Sequence, residues 1–245
     1  MTMKHLKTIM SILMVLVAVS CTKTPSAVNG QVTFGIFSDQ DIADKTKSNV
    51  SDYTSLPAAG DFTLTIKDAE SSPVWSGKVS DWNAETMLQV GNYSVTASYG
   101  SIDEEGFDKP YFTGKTDFSI IGGETKAVSV PVTLGNTVVK ISCTKNFMDY
   151  YKDYTFKFTR DGVDIVTFAK GETKGAFIDG YKFTLEGVLT SETKSSTFTK
   201  DYTNLEAATA YSFVFDADNV GGASITISFN DSVETVNLGD YELND

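Results

Sequence analysis

The chain has 245 residues, 20 basic against 32 acidic groups for a net charge of −12, and a single histidine, His5. Nucleic-acid binding depends on basic patches that release counterions, and this balance excludes it. Arg160 is the only arginine and cysteine occurs twice, at positions 21 and 143, which is no disulfide framework.

The first segment reads "MKHLKTIMSILMVLVAVSCTKTPS". Lys4 and Lys7 form a positive n-region, Ile9 to Val19 an apolar run, and Ala18-Val19-Ser20 a small-residue cleavage site. The run is about half the roughly 20 residues that a membrane-spanning helix needs, so residues 1–20 are expected to be a cleaved signal. "VAVSC" resembles the lipobox of bacterial lipoproteins, which implies that Cys21 is acylated (palmitate and related chains) and becomes the first mature residue. The alternative is a plain signal-peptidase cut that leaves a free thiol. Each buried methylene contributes about 0.8 kcal/mol, so two or three chains hold a body at an outer-membrane bilayer without any apolar anchor of its own. Loss of Lys4 and Lys7 leaves 18 basic and 32 acidic groups, a balance of −14. Loss of His5 removes the Ser-His-Asp and Cys-His arrangements and the His-based zinc sites, so no enzyme and no cofactor are expected.

Residues 21–30 form a tether rich in Thr, Ser, Pro and Lys. From Gln31 onward, period-2 alternation recurs: "DFTLTIK" at 61–67, "NYSVTASYG" at 92–100, "AVSVPVTL" at 127–134, "YTFKFT" at 154–159, "AYSFVFD" at 210–216 and "SITISF" at 224–229. Each segment predicts an antiparallel strand with one apolar and one wet face. Turns are predicted at "IGGE" (121–124), "RDGV" (160–163) and "NVGGA" (219–223). One short helix is expected within 145–154, with Phe147, Tyr150 and Tyr151 on a shared face. "GN" at 135–136 reads as a turn between two sets of strands. The expected fold is therefore all-β, with two tandem antiparallel β-sandwich domains of Ig-like or transthyretin-like type over 31–135 and 136–245. "GNYSVTA" and "TAYSFVF" echo one another across the two halves.

Six candidate sites stand out. Trp75 and Trp82 in "SPVWSGKVSDWNAE" are candidates for stacking on a glycan, or else packing residues. Asp216, Asp218 and Asn219 in "DADNVGG" are candidate calcium ligands, as are Asp39, Asp41 and Asp44 in "SDQDIAD", although Asp, Asn and Gly equally make β-turns. Glu104 and Glu105 in "SIDEEGF" adjoin on one loop, where a solvated rim is expected rather than a glycosidase pair. Cys143, in alternation with Val139 and Ile141, is expected to be buried and inert. "DSV" at 231–233 resembles a Bacteroidetes O-glycosylation sequon with Ser232 as acceptor.

The succession "GNYSVTASYG", "GFDKPYFTGKTDFSI" and "GGETKAVSVPVTLGNTVVKIS" resembles a family of Bacteroidetes lipoproteins defined only as a domain of unknown function, close to the fimbrillin-like proteins. Its P-Y-F-x-G step falls on Pro110, Tyr111, Phe112 and Gly114, which the resemblance implies is a structural link between two strands, with Gly114 permitting a bend. The resemblance implies no catalytic residue. It implies a cell-envelope protein with a protein or glycan partner, or a fimbria-like subunit that exchanges strands. The arginine that best-known fimbrillins are cleaved after is missing here, since none precedes Arg160.

Overall fold

The computed structural model describes residues 28–38, 52–217, 223–229 and 232–236. Cys21, Asp39, Asp41, Asp44, Asp218, Asn219 and the side chain of Ser232 lie outside the described residues. In chain order the strands are β1 (Asn29–Ser38), β2 (Thr63–Asp68), β3 (Pro73–Lys78), β4 (Met87–Gln89), β5 (Gly91–Tyr99), β6 (Gly106–Phe107), β7 (Phe112–Ile120), β8 (Thr125–Leu134) and β9 (Thr137–Cys143). After α1 (Lys145–Tyr150) follow β10 (Asp153–Arg160), β11 (Val163–Ala169), β12 (Ala176–Ile178), β13 (Lys182–Thr190), β14 (Ser195–Thr203), β15 (Ala210–Ala217), β16 (Ala223–Phe229) and β17 (Ser232–Val236).

The fold is almost all-β, built from one curled sheet and two smaller sheets. The curled sheet runs β3-β2-β5-β7-β8-β1-β4. It curls at β8, which meets β7 through only two residue pairs, Phe112↔Leu134 and Thr113↔Thr133, and lies along β1 from Thr125 to Val132. Pro131, which has no N–H to offer a ladder, stands near the point of departure. The other sheets are β11-β10-β13-β14 and β17-β16-β15-β9-β12-β6.

The order β3-β2-β5-β7 with β8-β1-β4 recurs as β11-β10-β13-β14 with β15-β9-β12. Registers recur as well. The first three residues of β1 pair with β4, and the first three of β9 pair with β12. Both β5–β7 and β13–β14 run for nine pairs. The sequence echo does not carry this repeat: "GNYSVTA" lies on β5 and "TAYSFVF" on β15, which are not equivalent strands.

The expectation of purely antiparallel sheets needs correction, because β1 runs parallel to β8 and β9 parallel to β15. Alternation has the same period in either direction, so it carries no information on strand direction. At 135–136, where a turn is expected, the chain bends between β8 and β9. Asn136 is fully buried; its side-chain Oδ1 accepts the Tyr111 N–H and its carbonyl accepts the Ala208 N–H.

Apolar alternation places two core clusters. One holds Val32, Leu64, Ile66, Val95, Phe112, Val130 and their neighbours, and is completed by Val138, Phe177 and Ala210 from beyond the junction. The other is aromatic, centred on Phe147, Phe156, Phe158, Phe183, Phe213 and Phe215. Phe156 and Phe215 stack with centroids 4.0 Å apart. The short helix forms because Thr144 caps it, its hydroxyl accepting the Phe147 N–H at 3.2 Å. Phe147 and Tyr151 enter the core, whereas Tyr150 is exposed, contrary to the shared face expected for all three.

Inside the second core the Tyr202 hydroxyl is buried without a hydrogen-bond partner among the described residues, and burial pushes its pKa up to about 12. Tyr202→Phe should therefore keep or raise stability by about 1 kcal/mol, read from the urea midpoint, because an unsatisfied polar group is removed. A phenol whose pKa is raised by folding contributes stability that is complete below the unfolded value near 10. That stability is lost as pH climbs through about 12. The wild type should weaken across that window more steeply than Tyr202→Phe.

Candidate functional site

The two tryptophans are brought together by the β3 edge and the turn that follows it. Their rings meet edge-on at 5.0 Å, and Trp82 meets Phe34 the same way at 5.2 Å. The Trp82 indole N–H donates to the Val32 carbonyl at 3.0 Å, and both rings pack on the first core while half-buried.

Asp216 sits at the end of β15, where its carboxylate accepts the Thr144 hydroxyl and, at 2.9 Å, the Ala217 N–H. It thus steadies the residue that caps α1. Among the described residues no group of three or more His, Cys, Asp and Glu is placed to hold a metal ion.

The adjacent glutamates have separate fates. Glu104 lies on the rim and pairs with Lys109 at 2.8 Å, and that hydrogen bond lowers its pKa. Glu105 does not belong to a solvated rim, which corrects the sequence reading. Its carboxylate takes both terminal nitrogens of Arg160, Nη2 at 3.0 Å, and also the Asp179 N–H at 2.6 Å. Its side chain is 12% exposed, against 28% for Arg160. Arg160 further donates from Nε to the Lys182 carbonyl at 2.9 Å and from Nη2 to the Asp179 carbonyl at 2.8 Å. The hydrogen bonds to Glu105 raise the guanidinium pKa further. β6 beside it pairs with β12, Phe107 meets Phe168 with centroids 5.0 Å apart, and Asp108 pairs with Lys174. The loop between β5 and β7 is thereby fastened to the second half of the chain at four contacts. The one signal available in the sequence was the solitary arginine beside a hairpin turn.

Cys143 is a half-buried free thiol whose pKa desolvation pushes up to about 11, against a smaller opposing effect from the Tyr154 hydroxyl. At pH 8 only about one thiol in a thousand is ionised at that value. Ellman's reagent should accordingly react with Cys143 at least 100-fold more slowly in the folded chain than in 6 M guanidinium; equal rates would refute the burial.

At the other end of β5 lies a shallow polar hollow lined by Asp68, Ser71, Asn92, Ser94, Lys115 and Asp117. The turn beneath it is held by Asp68, whose carboxylate accepts the N–H groups of Glu70 and Ser72, with Ser71 at φ +64°. Burial first, and the Asp68 charge second, raise the Tyr93 pKa at its floor.

The profile of the family described as "domain of unknown function (DUF4493)" matches residues 29–239. No curated protein is significantly similar in sequence. Among solved structures, a candidate polysaccharide-binding protein (DUF1812) from Bacteroides thetaiotaomicron superposes with a TM-score of 0.51 at 12% identity, covering 86% of this chain and 99% of that one. A fimbrial assembly protein from Parabacteroides distasonis gives 0.49 at 7% identity, covering 73% and 92%. The fimbrial anchor protein Mfa2 from Porphyromonas gingivalis gives 0.49 at 9% identity, covering 84% and 99%. The chain has no histidine beyond His5, and Glu104, Glu105, Asp216 and Cys143 are engaged in ion pairs, capping or the core.

Proposed function

From a chain that belongs to the family described as a domain of unknown function, DUF4493, we propose a non-catalytic lipoprotein of the bacterial cell envelope. In this reading it is anchored to the outer membrane through acylated Cys21 and presents two β-sandwich domains, 31–135 and 136–245, to a protein partner in adhesion. The observation that carries it is the strand order that repeats between the two halves, set behind a signal-like segment ending in cysteine. Likeness in fold to a candidate polysaccharide-binding protein of Bacteroides thetaiotaomicron supports a role in surface interaction. Protease shaving of intact cells with a C-terminally tagged chain tests the outward orientation, with Cys21→Ala as the anchoring control. Loss of the tag from intact cells is the expected result. Survival of the tag until the outer membrane is broken overturns it.

A second reading is a fimbria-like subunit or assembly anchor that exchanges strands. It is favoured by an asymmetry of the repeat: β16 covers the outer edge of β15, while β8 is flanked at the equivalent edge by only two pairs to β7. SDS-resistant ladders would support it, and a purified body that stays monomeric at all concentrations would remove it. Glycan binding, the description attached to the Bacteroides thetaiotaomicron structure, predicts retention on polysaccharide gels that Trp75→Ala or Trp82→Ala abolishes without unfolding the chain.

A further inference from the structure

Five exposed apolar side chains gather where the chain enters the fold. Val28, Val74, Met87, Val90 and Ile121 are between 43% and 72% exposed. Their proximity follows from the backbone. The Val90 N–H donates to the Val28 carbonyl at 2.8 Å, and β4 between Met87 and Gln89 pairs with the start of β1. Gly91 pairs with Ile120, which sets Val90 and Ile121 side by side just beyond the ladder. The Gly123 N–H donates to Asn29, tying the turn after Ile121 to the same place. Val74, Met87 and Val90 line a single cleft with Asp68 and Glu70.

Isolated exposed aliphatics are ordinary, but a contiguous group of this kind marks a contact surface. Its position says with what. Seven residue steps separate Cys21 from Val28, a reach of about 25 Å at full extension. β1 and β5 each carry the chain roughly 30 Å from this end, and the loop at the far end of β5 is the one fastened to β12. The second half of the chain therefore lies beyond the end remote from the tether.

We propose that this apolar end is a lipid-contact face that rests on the bilayer surface and holds the body upright, with residues beyond 136 outermost. The inference rests on the anchoring reading of Cys21. Aliphatic side chains of this number suit the headgroup and upper acyl region, where a second weak contact supplements a lipid anchor. Asp68, Glu70 and Glu124 border the patch, and the chain as a whole is acidic, so the surface it fits is zwitterionic rather than anionic.

The test uses the full acylated chain in the Cys143→Ser background, reconstituted in phosphatidylcholine–phosphatidylethanolamine vesicles that carry nitroxide lipids. Single fluorophores are attached at Met87→Cys, Ile121→Cys, Val163→Cys or Tyr181→Cys. At least twofold stronger quenching is expected at the first two positions than at the last two. It should fall to the level of the last two when Val28, Val74 and Val90 are changed to Ser, and should weaken when phosphatidylglycerol is added. Equal quenching at all four positions overturns the inference. So does protection of the Met87→Cys label by rising protein concentration without vesicles, which would assign the patch to a second copy of the chain. The mass of the N-terminal peptide reports acylation separately. If Cys21 is bare, the anchoring reading fails, and the same quenching profile is taken with residue 22 tethered to a chelator lipid. A flat profile there overturns the lipid-contact face on its own account.

Discussion

Glu105→Gln and Arg160→Met should each lower the stability of the body by about 2–4 kcal/mol, while Glu105→Leu combined with Arg160→Met should recover most of that loss. Removing one member of a buried ion pair typically costs about 3–5 kcal/mol, because the other charge is left without a partner in a poorly solvated place. The lower figure applies here since Arg160 keeps some contact with water. Replacement of both removes the desolvated charges together, and such swaps are often neutral. The two effects should be far from additive, as for any pair in direct contact. Urea titrations of each variant measure this, and single changes that shift the midpoint by less than about 0.5 kcal/mol would refute it. The single variants have a further diagnostic. Since Glu105 joins the β5–β7 loop to the segment before β13, weakening it should split one cooperative transition into two if the halves are independent folding units.

Gly114→Ala carries the other large effect. A Cβ there would stand 1.9 Å from the Pro131 carbonyl oxygen and 2.8 Å from its carbon, both of them backbone atoms. No side chain can rotate away, so β7 and β8 would have to move apart at the seam that closes the curled sheet. β7 runs continuously through Gly114, and the missing side chain serves the approach of β8. A loss of about 3 kcal/mol or more is expected, within the range of severe packing faults. Gly35→Ala is the control, because nothing lies within 4 Å of its Cβ position. It should be neutral or slightly stabilising through the unfolded chain. Equal behaviour of the two variants would show that the close approach is not real.

Much of this fold was legible in the sequence. Six alternating segments foretold β2, β5, β8, β10, β15 and β16, and "RDGV" foretold a two-residue hairpin in which Asp161 and Gly162 both adopt positive φ. β4, β6 and β12 have two or three residues each, too few for any period to show. Strand direction was hidden for the reason that β1 and β8 meet across more than 90 residues, and alternation reads the same either way. The burial of Asn136 was hidden too, because "GN" is turn chemistry wherever it stands, and only the tertiary partners Tyr111 and Ala208 decide otherwise. The Glu105–Arg160 pair spans 55 positions and leaves no local trace beyond the scarcity of arginine. For Trp75 and Trp82, composition offered two uses, and only the edge-on chain with Phe34 shows how the rings are packed.

The parallel pairing of β1 with β8, and of β9 with β15, has a mechanical meaning for a body tied at one end. If the chain is held through its N-terminal segment as proposed, tension on its far end draws β1 one way and β8 the other along their common axis. The eight residue pairs joining them share that load at once and do not open one after another. In the second half β9 is drawn from its start and β15 from its end, in the same shearing geometry across six pairs. Between these two clamps the connection is Gly135-Asn136, hydrogen-bonded at both residues and with Asn136 buried, so there is no slack to stretch first. Pulled from its tip in flowing liquid, the molecule should behave as a stiff, strong link that yields abruptly at high force.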